Sequence, residues 1–292
     1  ALTNLTKNVI DPKNGLWLKD AAKIQILSER REILLESQIS NFEKIYWLLE
    51  DTKRYGTLPF AGLARAGFIG IQFLKSLVTT ELISPNDYQD FLNSLSTISN
   101  DFKNDYQSIN KTDFLKKYGH LRPGTYDILS DRYDEKFDHY FTDYQFDEAV
   151  SKKNISRTTN FSHPDIDDHL EKLDLNIDSS SFFHFIKSSI EQRENSKFEF
   201  TKNVSETLKL LQIIGEKNGF TNEDMSYLDI SVLRNNHPCE TDLIRLVDES
   251  IIFGKSIHET SRGIKLPPLI STPNDVWGFE LPQSIPNFIT NK

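Results

Sequence analysis

Between Lys117 and Glu135 the chain reads KYGHLRPGTYDILSDRYDE, which sets His120, Arg122, Asp127 and Arg132 among Tyr118, Tyr126 and Tyr133 around a Pro123-Gly124 turn. Arg122 and Arg132 are each able to grip a carboxylate or phosphate through two parallel hydrogen bonds, and Asp127 suits an ammonium or amide hydrogen. The tyrosines offer apolar walls with a polar tip, and His120, with an unperturbed pKa of about 6.5, suits proton transfer near neutral pH. Two readings of this stretch stand side by side. It is either a binding site for a small charged molecule or a structural clasp whose charges satisfy one another.

Two other charged clusters call for the same weighing. Lys53, Arg54 and Tyr55 end one helical pattern, and Arg65 lies in the small-residue segment that follows, where a cation on a closely packed surface needs an anionic partner. Glu191, Arg193, Glu194 and Lys197 fall within two helical turns, where Glu194 and Lys197 have the spacing of a simple surface pair. Other chemistry is missing. Gly62 and Gly67 match the spacing of a P-loop's glycines, but Phe68 and Ile69 stand where lysine and a hydroxyl residue must hold phosphate and magnesium. The histidines are scattered without ligand spacing, so His163, His169, His237 and His258 read as surface or helix-end residues and no metal site is expected.

The elements that must position these residues read as mainly α: a multi-helix bundle with an irregular polar segment and a proline-rich C-terminal tail. Phe42, Ile45 and Leu49 form an apolar stripe, widened by Tyr46 and Leu48, with Glu43, Lys44, Glu50 and Asp51 facing away. From Leu58, the small residues Ala61, Gly62, Ala64, Ala66 and Gly67 let another backbone approach, so that segment is expected at the centre. Ser84-Pro85-Asn86-Asp87 is a helix start, running to about Ser99. A short helix capped by Thr112 is expected to end at Tyr118, with Gly119 as a left-handed terminator. The stretch from His139 to Asp168 has no clear period and is expected to be irregular. Helical pattern returns over Ser179 to Lys197 and Ser205 to Asn218, ended by Gly219. Thr221 with Asp224 then opens another helix, and a last one spans Glu240 to Thr260. Five of the 11 prolines lie from Leu266 onward, as in an extended tether. The domain reading is a helical domain over 1–262 and a linker over 263–292.

Composition narrows the function classes. The chain has 292 residues, 37% hydrophobic content and a net charge of −9, with no Lys/Arg run beyond a dipeptide, so nucleic acid is an unpromising partner. The single cysteine, Cys239, excludes an intrachain disulfide framework and points to a reducing, cytoplasmic setting. The most apolar stretch, Gly67 to Val78, is short for a bilayer and carries Lys75, so no membrane partner is expected.

The segment FLKKYGHLRPGTYDILSDRYDE, together with REN(x)2F(x)FTKN, NEDMSYLDI and the exit LPPLI…PNFIT, resembles the central helical region of phosphoenolpyruvate-synthase-like phosphotransferases. In that family an ATP-grasp domain phosphorylates a histidine on a swivelling domain, which carries the phosphoryl group to an acceptor. The form with HLRPGTYDI is similar to members of surface-polysaccharide pathways, including L-glutamine kinases, which phosphorylate the side-chain amide nitrogen of glutamine towards capsular phosphoramidate. This chain departs from the family by lacking any Gly-Gly pair, which marks the phosphohistidine motif, and the QxRP-type end of the ATP-grasp domain. The resemblance therefore implies an acceptor-binding middle domain without chemistry of its own. Its partners are the ATP-grasp and phosphohistidine domains, which hold ATP and Mg2+, and this chain carries no cofactor. The implied acceptor is L-glutamine, with His120 as the base and Arg65, Arg122, Tyr126, Asp127, Arg132, Arg54 and Glu194 as the binding residues. Pyruvate or a polysaccharide-pathway metabolite as acceptor, and a non-binding helical spacer, are the alternatives.

Overall fold

Short polar side chains set the starts of the helices. Ser40 and Ser84 each build a capping box, Ser40 with Glu43 and Ser84 with Asp87, and these open α3 (Asn41–Asp51) and α5 (Pro85–Asn93). A computed structural model of the chain describes residues 2–141, 164–235, 240–262, 266–267 and 269–277. Among the described residues there are helices and no strands, so the mainly α expectation holds.

The chain divides into two compact units, Ala1–Ile213 and Ile214–Lys292. The sequence reading put its boundary at 262/263; the division into units falls at 213/214. The first unit opens with α1 (Leu2–Ile10) and α2 (Leu16–Glu36), followed by α3. A π-helical stretch, Thr52–Thr57, then leads straight into α4 (Leu58–Thr79). After α5 come α6 (Ile98–Ser108) and α7 (Lys111–Tyr118), a single turn α8 (Phe137–Tyr140), α9 (Pro164–Lys172) and most of α10 (Ser179–Lys217).

Its core is built around α4 and α10. Leu63, Ala66, Leu74 and Leu77 of α4 are buried with Phe182, Phe185, Ile186 and Ile190 of α10. Small residues make this approach close. A methyl group on Gly70 would lie 2.9 Å from Ser189 Oγ and 3.4 Å from Ile186 Cα, while one on Gly67 would meet the Ser189 carbonyl at 3.4 Å. Gly62 and Gly67 thus sit inside a helix, where no phosphate-cradling loop exists. The run Asn41–Thr79 is long and apolar enough by length and composition to cross a membrane, which extends well beyond Gly67–Val78. Within its most apolar window 33% of the residues are buried in the fold.

Several local expectations are corrected. Of the α3 stripe Phe42, Ile45 and Leu48 are buried and Leu49 only partly so, while Glu50 and Asp51, expected to face away, are buried, where Arg30 Nε donates to Asp51 at 2.8 Å and Lys53 pairs with Glu50. The helix from Ser84 ends at Asn93, and α6 begins anew behind a Thr97 cap. Asn110, not Thr112, caps α7 by accepting from Asp113 N. Gly119 is right-handed at φ −58°, so its small size serves proximity: an added Cβ would sit 2.3 Å from the Leu115 carbonyl. The two helices expected between Ser179 and Asn218 are one helix of 39 residues. Its polar middle is buried with its hydroxyls satisfied by their own helix, Ser196 bonding to the Arg193 carbonyl and Thr201 to that of Phe198. Within the stretch read as irregular, Pro164–Lys172 is α9, and residues 142–163 lie outside the described residues.

The second unit holds the end of α10, α11 (Asn222–Ser226), α12 (Ser231–Asn235) and α13 (Glu240–Arg262). Gly219, at φ +80°, terminates α10 as expected, and Thr221 with Asp224 forms the capping box of α11. In the proline-rich tail, Pro273–Trp277 winds one 3-10 turn, with Ser271 and Thr272 N–H groups donating to Asp275. Residues 278–292 of the tail lie outside the described residues.

Candidate functional site

The chain leaves α7 at Gly119 and returns to nearly the same point at Asp134. Two backbone bonds close the neck, Tyr133 N to the Leu121 carbonyl at 2.8 Å and Asp134 N to the Gly119 carbonyl at 3.1 Å. Loops of this kind, with touching ends and side chains packed inside, are compact units. Aromatic rings hold the neck in place. Phe114, Tyr118, Phe137 and Phe198 form a buried cluster, with Phe102, Leu121 and Phe141 packed against it.

The loop interior is ordered by its short side chains. Pro123-Gly124 makes the turn; Gly124 N donates to Ser130 Oγ at 3.0 Å, and Asp127 Oδ1 accepts from Leu129 N at 2.9 Å. Three bonds tie the loop to α10: Ser205 Oγ to the His120 carbonyl at 2.6 Å, Gln212 Nε2 to the Ile128 carbonyl at 3.0 Å, and Arg132 Nη1 to Glu206 at 2.6 Å.

The expected site residues divide sharply by environment. Arg132 is only 5% exposed and fully committed. Its Nε and Nη2 meet both oxygens of Asp134 at 2.9 and 2.7 Å, and its Nη1 meets Glu206. Burial works against its charge, and the two carboxylates outweigh burial, so its pKa is raised.

Arg122 is equally buried, also 5% exposed, and committed at one end only. Nη1 donates to the Ser130 carbonyl at 2.8 Å, whereas Nε and Nη2 are buried with no hydrogen-bond partner. Burial pulls its pKa down, against the pull of Glu135. His120 is 8% exposed and packs edge-on to Phe198 with ring centroids 4.8 Å apart. Its Nε2 is buried without a hydrogen-bond partner. Burial, reinforced by Lys202, Arg132 and Arg31, lowers its pKa to about 3. That is far from the ordinary value assumed for a base at neutral pH, and it leaves His120 a neutral ring.

The remaining expected residues lie elsewhere. Tyr126 is 65% exposed at the loop tip, and Asp127 is exposed and engaged in its own turn. Tyr118 is fully buried, its hydroxyl donating to Asp105 at 2.8 Å, and burial lifts its pKa to about 12. Arg65 projects into solvent from α4 instead of lying on a packed surface. Arg54 is exposed on the π-helical stretch, 3.6 Å from Glu50. Glu194 takes Arg193 at 3.0 and 2.5 Å, in place of the expected Lys197.

Sequence reading passed over Glu206, Ser205, Gln212 and Ser130, because a helix face shows nothing of a partner many residues away. It also set aside His258. In the second unit His258 stacks edge-on to Tyr227 with centroids 5.3 Å apart, and both line a surface cleft of about 360 Å³ with Asp224, Lys255 and Arg262. Asp224 is already engaged there, by the Thr221 cap and by Lys255. Among the described residues no cluster of three or more His, Cys, Asp or Glu could hold a metal ion.

No protein-family model, curated protein or solved structure matches this chain.

Proposed function

We propose that the chain is the acceptor-binding helical domain of an ATP-dependent phosphotransferase. In this reading a phosphohistidine on a partner domain delivers the phosphoryl group, ATP and Mg2+ belong to an ATP-grasp domain, and L-glutamine is the acceptor. The sequence resemblance supplies the reaction. One structural observation supports the place: the loop from His120 to Glu135 buries a guanidinium edge and an imidazole nitrogen that the protein leaves unpartnered. Buried polar atoms are normally hydrogen-bonded, and an unpaired one costs about 1–3 kcal/mol, so a partner from outside the chain accounts for their presence.

The physical demands of the reaction fit such a loop. An amide nitrogen is a poor nucleophile because its lone pair is delocalised into the carbonyl. Transfer to it needs in-line placement and exclusion of the water that would hydrolyse phosphohistidine. Arg132 then serves to hold the loop shut, Arg122 to meet the acceptor, and His120 to accept a hydrogen bond. A spacer without ligand is the second reading, and the observation favouring it is Arg132, which is spent on Asp134 and Glu206.

Isothermal titration calorimetry of the chain with L-glutamine, L-glutamate, L-asparagine and pyruvate separates the readings. Binding of L-glutamine in preference to the others supports the acceptor domain. Heat from pyruvate alone moves the assignment to another acceptor, and a folded chain that binds none of them counts against L-glutamine as acceptor and favours the spacer.

A further inference from the structure

Helices α2 and α4 lie side by side and run antiparallel, since a Cβ on Gly62 would meet Asp20 and one on Gly56, just before α4, would meet Leu27. Both also rest on α10. Gly70 of α4 faces Ile186 and Ser189, while Arg31 and Trp17 of α2 reach Glu199 and Phe185. With about 3.6 residues per turn, Leu58, Arg65, Phe68 and Lys75 point roughly half a turn away from Gly70, and Ile26 and Ile33 roughly half a turn away from Arg31. All six are exposed, so the two helices present one outer face on the side turned away from α10.

Charge on this face is one-sided. Between Asp51 and Glu81 the chain has Lys53, Arg54, Arg65 and Lys75 and no acid, in a protein of net charge −9. The nearby carboxylates are already spent, Asp20 on Lys23 at 3.1 Å, Asp51 on Arg30 at 2.8 Å and Glu50 on Lys53. Arg65 and Lys75 make no ion pair or hydrogen bond among the described residues. The exposed acids of α2, Glu29, Glu32 and Glu36, lie on the flank opposite Asp20 and Leu27, away from α4. Bulky apolar side chains stand among these cations: Leu58 is 65% exposed, Phe68 62% and Ile33 71%. The run Asn41–Thr79 is apolar enough to cross a membrane by length and composition, yet only 33% of its most apolar window is buried in the fold.

We propose that the outer face of α2 and α4 docks on an anionic lipid surface, with Arg65 and Lys75 at the headgroups and Leu58 and Phe68 entering the acyl boundary between them. Unpaired cations complement the anionic headgroups, and the apolar side chains beside them gain by leaving water. Leu58 and Phe68 stand about 15 Å apart along α4, and Ile33 belongs to the neighbouring helix, a spread that a lipid plane meets at once. A face that lies on a bilayer needs no spanning segment, so the short apolar stretch Gly67–Val78 does not oppose it. This docking stands apart from the acceptor reading and holds whether or not the loop after α7 binds a ligand.

Vesicle co-sedimentation of the 292-residue chain tests it, using phosphatidylcholine alone and phosphatidylcholine mixed with about a third phosphatidylglycerol. Two double variants, Arg65→Gln with Lys75→Gln and Leu58→Ser with Phe68→Ser, are compared, with circular dichroism to check folding. The expected result is binding to the anionic vesicles and little to the neutral ones, with release as salt rises from roughly 0.1 to 0.5 M. Each variant should bind roughly ten- to a hundredfold more weakly. Equal binding to both vesicles, binding that salt leaves unchanged, or binding undiminished in either folded variant overturns the proposal. So does a folded chain that ignores both vesicles; if that chain sediments as a dimer that the variants abolish, the face belongs to a second copy. The salt series on the unaltered chain decides the matter if neither variant folds.

Discussion

Arg132 Nη1 lies 2.6 Å from Glu206 Oε1, joining the loop after α7 to the long helix α10 across 74 positions of sequence. With both oxygens of Asp134 on its other edge, Arg132 closes the neck of the loop and fixes the loop against α10. Removing one member of a buried charged network strands the others, whereas removing Arg122 leaves only the Ser130 carbonyl short of its close donor. Arg132→Met is therefore expected to cost about 2–4 kcal/mol, while Arg122→Met shifts stability by less than about 1 kcal/mol in either direction. Urea unfolding of both variants measures the difference; equal losses would mean that Arg122 is as structurally committed as Arg132.

His120 makes the fold sensitive to acid in a defined window. Its pKa falls from an ordinary 6.5 to about 3, through burial first and then through Lys202, Arg132 and Arg31. Between those values the unfolded chain binds a proton that the folded chain refuses, so stability is intact above pH 6.5 and is lost as pH falls towards 3. The slope approaches about 1.4 kcal/mol per pH unit below pH 6. Substituting His120→Phe should remove most of that slope between pH 6.5 and 5, where most carboxylates remain ionised. Guanidinium unfolding midpoints at a series of pH values provide the check.

Gly254 lets α13 meet the chain just after α11. A Cβ there would fall 2.1 Å from the Tyr227 carbonyl oxygen and 3.1 Å from its carbon, and backbone cannot swing aside as a side chain can. Gly254→Ala should destabilise the second unit by about 1–3 kcal/mol, although alanine favours an isolated helix by roughly 1 kcal/mol. Gly219→Ala, strained by φ +80° with open space around it, should cost only about 1 kcal/mol. Hydrogen exchange at the amides of α11 and α13 distinguishes the two, since only the first change forces those segments apart.

Arg31 is the other buried cation with a long reach. Its Nη1 donates to Asn203 Oδ1 at 3.0 Å and its Nη2 to Glu199 Oε2 at 3.0 Å, which ties α2 to α10. Arg31→Met should cost about 2–4 kcal/mol, and the paired change with Glu199→Gln should cost less than the sum of the two alone. Strict additivity in thermal unfolding would show that the pair contributes nothing together.

What could be read from the sequence is what short-range chemistry decides. The helix start at Ser84, the capping box of Thr221 with Asp224 and the stop at Gly219 each need only a few neighbouring residues, and the structure has all three. Helical periodicity likewise announced a mainly α fold, because the backbone bonds of a helix are local. Gly119 escaped that logic: its lack of a side chain answers to the Leu115 carbonyl and to Asp134, and a left-handed turn plays no part.

Tertiary structure decided the rest. The residue types between His120 and Glu135 announced charge chemistry, but two like arginines in one loop looked interchangeable. Only folding brought Glu206 to Arg132 and left the side edge of Arg122 without a hydrogen-bond partner. α10 is also a single helix, in which buried serines and threonines find partners on their own backbone and on the loop. Local sequence specifies which conformations a segment prefers, while burial and long-range pairing decide which charges are satisfied, and that second question is settled between residues far apart along the chain.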